Sequence, residues 1–279
     1  MVIVEPKISG PIADSVCRSF PHFSWVRVEA DHLKGGIWVF WKLDRVSLME
    51  VAWNQQAIHF RFDQEALSGF FTTVYGSPQR SSKRELWPFL KSMVPTNQSP
   101  WLLIGDFNVI ASADEKDGRA PLSPMDATPF LTTIDHCQLI DLGSSGPKFT
   151  WKGPLIAGFD RVFERLDRAL ANSHWQLAFL DTSVRVLPMV LSDHHPIILN
   201  YAPSCGSLVV SHSFNFLAAW NLHQNFHSFL RKSWHPSDPP PSCLADFKGK
   251  ILVWHKDVFG SLRKHKSLIL RRLAGIQQA

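Results

Sequence analysis

The feature that most constrains the fold is a succession of short apolar or alternating runs in residues 1–201. The run at 58–62 (IHFRF) alternates as a half-buried antiparallel strand does, and the run at 101–107 (WLLIGDF) is apolar enough to lie inside a sheet. The other candidate strands are 1–5, 25–28, 36–41, 47–51, 70–75, 149–151, 165–167, 183–186 and 197–201. Many strands with few interleaved helices (9–20, 81–93 and 125–136) predict an α/β sandwich of two sheets rather than a regular βαβ repeat.

The composition changes after Tyr201, where a linker-like segment, APSCGS, begins. Residues 214–279 contain ten of the 29 Lys and Arg residues but only three of the 24 Asp and Glu residues. Two helical patterns, 221–234 and 244–276, flank the proline-rich segment SDPPPS at 237–242. We therefore expect two domains, a folded body at 1–203 and a basic helical connector at 204–279. The basic residues of the connector are suited to contact phosphates, or equally to form a solvated helix face.

Composition also excludes several classes of protein. The four cysteines show no CxxC spacing, which argues against a zinc site or a disulfide framework and favours a reducing compartment. No apolar run is long enough to span a membrane, and the first residues, MVIVEPKISG, do not form a signal peptide. We therefore expect no membrane partner and no secretion. The body carries nearly balanced charge, so it does not resemble a protein that binds nucleic acid by bulk charge.

Three polar motifs lie at or beside candidate strands: GDFN at 105–108, RLDR at 165–168 and SDHHP at 192–196. Hydrolysis of a phosphodiester requires oxygen ligands for a hard cation, a base for water and donors for the phosphate. Asp, Asn and His supply these groups, and strand ends of a sandwich meet at one rim. Each motif alone also has a purely structural interpretation: an Asx turn for GDFN, a surface ion-pair cluster for RLDR and a loop feature for SDHHP.

Together, the motifs resemble those of the endonuclease/exonuclease/phosphatase superfamily, which includes deoxyribonuclease I. Finer detail resembles the endonuclease of plant non-LTR (LINE-type) retrotransposons, through the segments VEPKISG (4–10), RVEADHLKGGIWVFW (27–41), TTVYGSP (72–78), WLLIGDFNVI (101–110), KFTW (148–151), ERLDRALAN (164–172) and SDHHPIIL (192–199). The resemblance covers residues 1–201. It implies a four-layer sandwich of two mixed β-sheets flanked by helices. FNFLAAW (214–220) and the basic segment after it resemble the connector that precedes a reverse transcriptase in such polyproteins.

The resemblance implies DNA as the partner molecule and Mg²⁺, with Mn²⁺ as an alternative, as the cofactor. It assigns metal binding to Glu5 and Asp193, the latter acting on the metal side or orienting the imidazole. Tyr75 and Asn108 match positions that contact the phosphate, and Asp106 matches the residue that activates or orients water.

His194 corresponds to the imidazole that contacts the phosphate or handles a proton, with Asp167 as its supporting carboxylate. The neighbouring His195 has no role in the pattern and is interpreted as a packed or hydrogen-bonded histidine.

One departure from the family pattern concerns the first strand, which in the family precedes the strand that bears the glutamate and ends in an asparagine at the site. Here Met1 lies only a few residues before Glu5, so we expect that strand to be missing and the nuclease to be weak or inactive. Two alternatives remain: a non-catalytic retrotransposon remnant that binds a partner, and a phosphatase or deadenylase of the same superfamily. A functional enzyme is expected inside the cell, in the nucleus.

Overall fold

The computed structural model describes residues 1–30, 35–64, 67–118, 124–156, 158–201 and 224–234, together with residues 247, 250, 251, 253 and 254. The residues up to 201 belong to one compact unit, and those between 224 and 254 belong to a second.

Most of the secondary structure in the first unit is β-structure. Strands β1 to β14 are Val2–Val4, Ser24–Val28, Ile37–Trp41, Ser47–Asn54, Ala57–Gln64, Leu67–Tyr75, Trp101–Asp106, Lys116–Asp117, Leu139–Asp141, Trp151–Lys152, Phe163–Glu164, Asp167–Asn172, Ser183–Val186 and Ile197–Asn200. Helices α1 to α6 are Gly10–Arg18, Arg80–Lys83, Leu86–Ser92, Pro124–His136, Ser173–Ala178 and Phe226–Ser233, and Ala113–Glu115 forms a 3-10 turn.

A six-stranded sheet, in the order β4-β5-β6-β7-β12-β9, forms the centre of the first unit. Strands β6 and β7 are parallel and the other neighbours are antiparallel, so the sheet is mixed. A second, antiparallel sheet has the order β1-β3-β2, and the remaining strands form the small sheets β10-β11-β8 and β13-β14. Strands β6 and β7, being parallel, need a crossover connection, and it runs through α2 and α3. The antiparallel neighbours need no such crossover.

Apolar side chains fill the space between these layers. Ile37 and Val39 of β3 pack against Ile58 and Phe60 of β5, so the two larger sheets lie face to face. Helix α1 covers the outer face of the smaller sheet, with Cys17 buried in the same cluster as Trp38 and Phe40. Helices α3 and α4 cover the outer face of the six-stranded sheet, where their buried side chains surround Trp101 and Leu103. This four-layer arrangement confirms the predicted α/β sandwich.

Strands β1 and β14 each have one edge without a strand partner in the part of the chain that the structure describes. Strand β1 pairs with β3 and strand β14 pairs with β13. Both border an apolar cavity of about 210 Å³, whose lining includes Val2, Phe71, Leu102 and Leu199.

Two sequence predictions of local structure were wrong. The single helix predicted at 81–93 is two helices, α2 and α3, separated at Arg84 and Glu85. Pro88 explains the break, because proline has no N–H to donate and its ring clashes with the carbonyl group four residues earlier. The predicted strand at 165–167 is a junction: β11 ends at Glu164 and β12 begins at Asp167. Helix α5 and strands β8, β9 and β11 were not predicted.

In the second unit, α6 lies within the helical pattern predicted at 221–234, and its Phe226 packs with Phe247 and Ile251. The segment 237–242 and most of 244–276 lie outside the described residues. The boundary between residues 203 and 204 stays a prediction. Within the described residues, no helix is both long and apolar enough to cross a membrane.

Candidate active site

Strand pairing brings three of the predicted site residues to one rim of the six-stranded sheet. Asp167, the first residue of β12, lies opposite Asp106, the last residue of β7. Tyr75, the last residue of β6, lies opposite Asp106 on the other side of β7. Neighbouring strands that end together place their side chains within reach of a common ligand.

Gly105 in the GDFN motif is required by the backbone and does not contribute chemistry. Its φ angle is +149°, and a Cβ atom at this position would lie 2.0 Å from the carbonyl oxygen of Val74. Only glycine can therefore occupy the last position before Asp106 without moving β6 away from β7.

Asn108 fixes the Asp106 carboxylate through two hydrogen bonds. The Asn108 backbone N–H donates to Asp106 Oδ1 at 2.7 Å, and Asn108 Nδ2 donates to Asp106 Oδ2 at 2.8 Å and to the Gly76 carbonyl oxygen at 2.9 Å. Asn108 has a φ angle of +49°, a conformation that asparagine tolerates better than most residues. The Asx-type bond considered for GDFN is thus present, and it orients the carboxylate toward the rim. Lys83 Nζ donates to the Asn108 carbonyl oxygen on the same side.

His194 lies between the two aspartates. Its Nδ1 is 2.9 Å from Asp167 Oδ2, and its Nε2 is 4.0 Å from Asp106 Oδ2. The Thr150 hydroxyl oxygen accepts the backbone N–H groups of Leu166 and Asp167, which holds the start of β12 in place. One ligand atom from each of Asp106, Asp167 and His194 lies within 4.8 Å of the others, so these residues could hold a metal ion.

The environment of this cluster shifts two pKa values in ways that suit proton transfer. Burial, and then the negative charge of Asp167, raise the pKa of Asp106 to about 7. Burial lowers the pKa of His194, but the hydrogen bond and charge of Asp167 outweigh it and raise that pKa to about 9. At neutral pH the imidazole is therefore protonated and donates Nδ1–H to Asp167.

Glu5 and Tyr75 form a hydrogen-bonded pair beside the cluster. The Tyr75 hydroxyl group donates to Glu5 Oε1 at 3.1 Å, and Lys7 Nζ lies 4.0 Å from Glu5 Oε2. Burial, and then the Glu5 carboxylate, raise the pKa of Tyr75 above its usual range, and the charge of Asp106 adds to this shift. The tyrosine thus faces two carboxylates and stays protonated.

The Asp193 side chain does not join the cluster that contains His194, its neighbour in the SDHHP motif. It is exposed, and its Oδ2 accepts a hydrogen bond of 3.2 Å from Trp151 Nε1. It lies outside the close cluster of Asp106, Asp167 and His194, although its charge contributes to the raised pKa of His194. His195 turns away from the site and contacts the Leu187 carbonyl oxygen through Nδ1 at 2.7 Å.

Sequence reasoning did not predict that Lys83, Thr150 and Trp151 support this rim. Lys83 lies in a helix with no motif of its own, and nothing in its sequence context indicates the contact with Asn108. Thr150 and Trp151 belong to the KFTW segment, to which the family resemblance assigns no role. Arg168, treated as part of an ion-pair cluster at the surface, is in fact buried, with 2% of its surface exposed.

Comparison with solved structures finds proteins of similar fold. The fold is similar to the endonuclease domain of TRAS1, a telomere-specific non-LTR retrotransposon, with a TM-score of 0.51, 14% identity and coverage of 70% of this chain and 91% of that domain. It is also similar to the 3′ phosphatase NExo from Neisseria, whose structure contains a product DNA hairpin, with a TM-score of 0.51, 18% identity and coverage of 72% and 88%.

At these identities the two structures show a shared fold alone. A search among curated proteins found no match to the sequence. The family model of the endonuclease/exonuclease/phosphatase family matches residues 8–194, more than half of the chain, and this range contains the Asp106, Asp167 and His194 cluster. The chain therefore belongs to the endonuclease/exonuclease/phosphatase family.

Proposed function

We propose that this protein hydrolyses phosphodiester bonds of DNA with the help of a divalent cation, by nicking one strand. The observation that carries the proposal is the arrangement of Asp106, Asp167 and His194 at one rim, with pKa values near 7 and near 9 for the first and last. Two groups whose environments separate their pKa values suit the roles of base and acid in one reaction.

The side chains suit the steps of such a hydrolysis. Asp106, with a pKa of about 7, can accept a proton from a water molecule near neutral pH. His194, held by Asp167 through Nδ1, leaves its Nε2–H directed to the rim, where it can donate to a phosphate oxygen. The Tyr75 hydroxyl group, which remains protonated, would become a second donor for the phosphate by exchanging its hydrogen bond to Glu5 for one to a phosphate oxygen.

The donor chemistry of the rim fits a hard cation. Since His194 is protonated at neutral pH and acts as a donor, the candidate ligands are carboxylates, which favour Mg²⁺ or Mn²⁺. We propose that Glu5, with Asp193, supplies the accessible carboxylates for the cation, since Asp106 is buried. A bound cation would neutralise charge that develops on the phosphate.

We further propose a source and a level of activity. The segments that resemble plant LINE-type endonucleases, and the resemblance of residues 214–279 to a connector, support an origin in a retrotransposon polyprotein with a reverse transcriptase as C-terminal partner. We expect slow nicking, because Glu5 follows the three-residue strand β1, which pairs on only one edge within the described residues.

Supercoiled plasmid tests the proposal. The purified chain is incubated with Mg²⁺ or with EDTA, beside Asp106→Ala and a matched control, Asp44→Ala, whose side chain is 73% exposed. We expect nicked circles with the parent and the control in Mg²⁺, and a loss of about a hundredfold or more in Asp106→Ala.

Nicking that is equally fast in EDTA or in Asp106→Ala would contradict the proposal. Release of phosphate from inositol phosphates, or shortening of poly(A), without nicking would favour the phosphatase or deadenylase alternative. A folded chain with none of these activities would favour a non-catalytic remnant.

A further inference from the structure

The second arginine of the RLDR motif has a set of partners that the proposed chemistry does not use. Arg168 follows Asp167 in β12, and neighbouring residues of a strand point to opposite faces. Its side chain therefore leaves the rim and enters the layer between the six-stranded sheet and α4, where the guanidinium carbon lies 5.1 Å from the centre of the Phe130 ring.

Glu115 binds this guanidinium group with both carboxylate oxygens. Arg168 Nη1 donates to Glu115 Oε1 at 3.0 Å, and Nη2 donates to Oε2 at 2.8 Å. Asp141 and Arg165 complete the cluster, since Arg165 donates to both acids at 2.7–2.9 Å. Two arginines thus balance two carboxylates, and the arginine–glutamate pair has the bidentate geometry that gives the most directional ion pairs.

The cluster also holds the backbone that follows Asn108. Arg168 Nη2 donates to the Val109 carbonyl oxygen at 3.0 Å, and Glu115 Oε2 accepts the Ala111 N–H at 2.6 Å. The segment 109–111 is therefore attached at two points immediately after the residue that orients Asp106. Asn108 itself has a left-handed backbone conformation, which needs such support from its surroundings.

Stability alone is a poor explanation for this arrangement. A buried ion pair is often no more stabilising than apolar residues of similar volume, because its charges lose their hydration. The pair here is also incompletely satisfied, since Arg168 Nε has no hydrogen-bond partner. Unlike apolar residues, the ion pair holds two backbone groups in a fixed direction, the Val109 carbonyl group and the Ala111 N–H.

We propose that Arg168 and Glu115 are positioning residues, which clamp the segment 109–111 and thereby hold Asn108 against Asp106. The expected loss of nicking rate rests on the proposed function, whereas the expected displacement of Asn108 does not. Loss of the clamp should leave the protein folded and able to bind DNA but with a misplaced Asp106. A displacement on the order of 1 Å at a reacting group lowers a rate by about a hundredfold.

The test replaces the arginine and returns its head group. In Arg168→Ala, kcat for nicking should fall by about tenfold to a hundredfold with little change in KM, at a temperature where circular dichroism shows full folding. Guanidinium on the order of 10 mM, far below the molar concentrations that unfold proteins, should restore much of kcat. The same ionic strength of NaCl should not. Arg45→Ala is the matched control, because the Arg45 side chain is 81% exposed. Neither guanidinium nor NaCl should change its kcat.

A second readout does not require activity. The side-chain amide NMR signals of Asn108 should broaden or shift in Arg168→Ala and return with guanidinium, even if the parent chain does not nick DNA. Glu115→Gln, which keeps shape and one acceptor oxygen, serves if the alanine variant does not fold and should change the Asn108 signals in the same direction. Unchanged Asn108 signals in a folded variant, or a loss of kcat that guanidinium does not reverse, would overturn the clamp.

Discussion

Replacing Asp106 with asparagine is expected to stabilise the metal-free protein above neutral pH while it abolishes nicking. Asp106 is 2% exposed, and burial, followed by the charge of Asp167, raises its pKa from 3.8 to about 7. A carboxyl group with a higher pKa in the folded protein favours folding below pH 3.8, and this contribution is lost as the pH rises through about 7. The ionised carboxylate therefore destabilises the folded protein at about pH 8.

The size of the effect follows from two opposing terms. Each unit of pKa corresponds to about 1.4 kcal/mol, so relief of the raised pKa is worth at most about 4 kcal/mol at pH 8. An asparagine here cannot accept the bond that Asn108 Nδ2 donates to Asp106 Oδ2 at 2.8 Å, and an unmade buried hydrogen bond costs about 1–3 kcal/mol. We expect a net gain of about 1–3 kcal/mol at pH 8, and no gain at about pH 4.5, where little relief remains.

Urea unfolding in EDTA, followed by tryptophan fluorescence at both pH values, measures these differences. Asp63→Asn, at a carboxylate that is 52% exposed, is the matched control and should change stability little at either pH. If Asp106→Asn were less stable than the parent by the same amount at both pH values, the assignment of a raised pKa to Asp106 would be refuted.

Three further predictions concern other parts of the fold. Asp167→Asn removes the hydrogen bond and charge that raise the pKa of His194 to about 9. An NMR titration of the variant should then give a His194 pKa at or below 6.5. In the parent, His194 stabilises the fold below pH 6.5 and this stabilisation is lost as the pH rises through about 9, so the variant should lack it. Burial lowers the pKa of His59 to about 4, so this histidine should lower the free energy of unfolding by about 3 kcal/mol as the pH falls from 6.5 to 4. Urea unfolding of His59→Phe should show a smaller loss of stability over that range, and a loss equal to that of the parent would contradict the prediction. Asn172 caps α5 and binds two backbone N–H groups and one carbonyl group at 2.8–3.0 Å, so Asn172→Ala should cost about 2–4 kcal/mol in thermal unfolding, and a loss below about 1 kcal/mol would contradict it.

Local patterns were sufficient to predict most of the strands, because each buries one or both faces in a regular order. The predicted range 183–186 agrees with β13, and 58–62 lies inside β5. The pattern failed at 81–93, where apolar spacing continues through Pro88 although the helix cannot. It also failed at 165–167, where pairing with β7, which is distant along the chain, decides where β12 begins.

The site was predictable as a set of motifs but not as a network. Each of Asp106, Asp167 and His194 lies in a short motif beside a strand, so their approach follows from strands that end at one rim. The partners of buried polar groups depend instead on contacts distant in sequence. Arg168 and Glu115 are 53 residues apart, and no local pattern indicates that they meet.

The backbone of Gly105 has a consequence for how such a protein would lose its function over generations. A substitution at Gly105 separates two core strands, so the expected outcome is little folded protein at all. A substitution at the adjacent Asp106 leaves the core intact, and the expected outcome is an abundant but inert protein. Mutations at these two neighbouring positions would thus inactivate the protein in different ways. Those at Gly105 would lower the amount of protein in the cell, and those at Asp106 would lower only its activity.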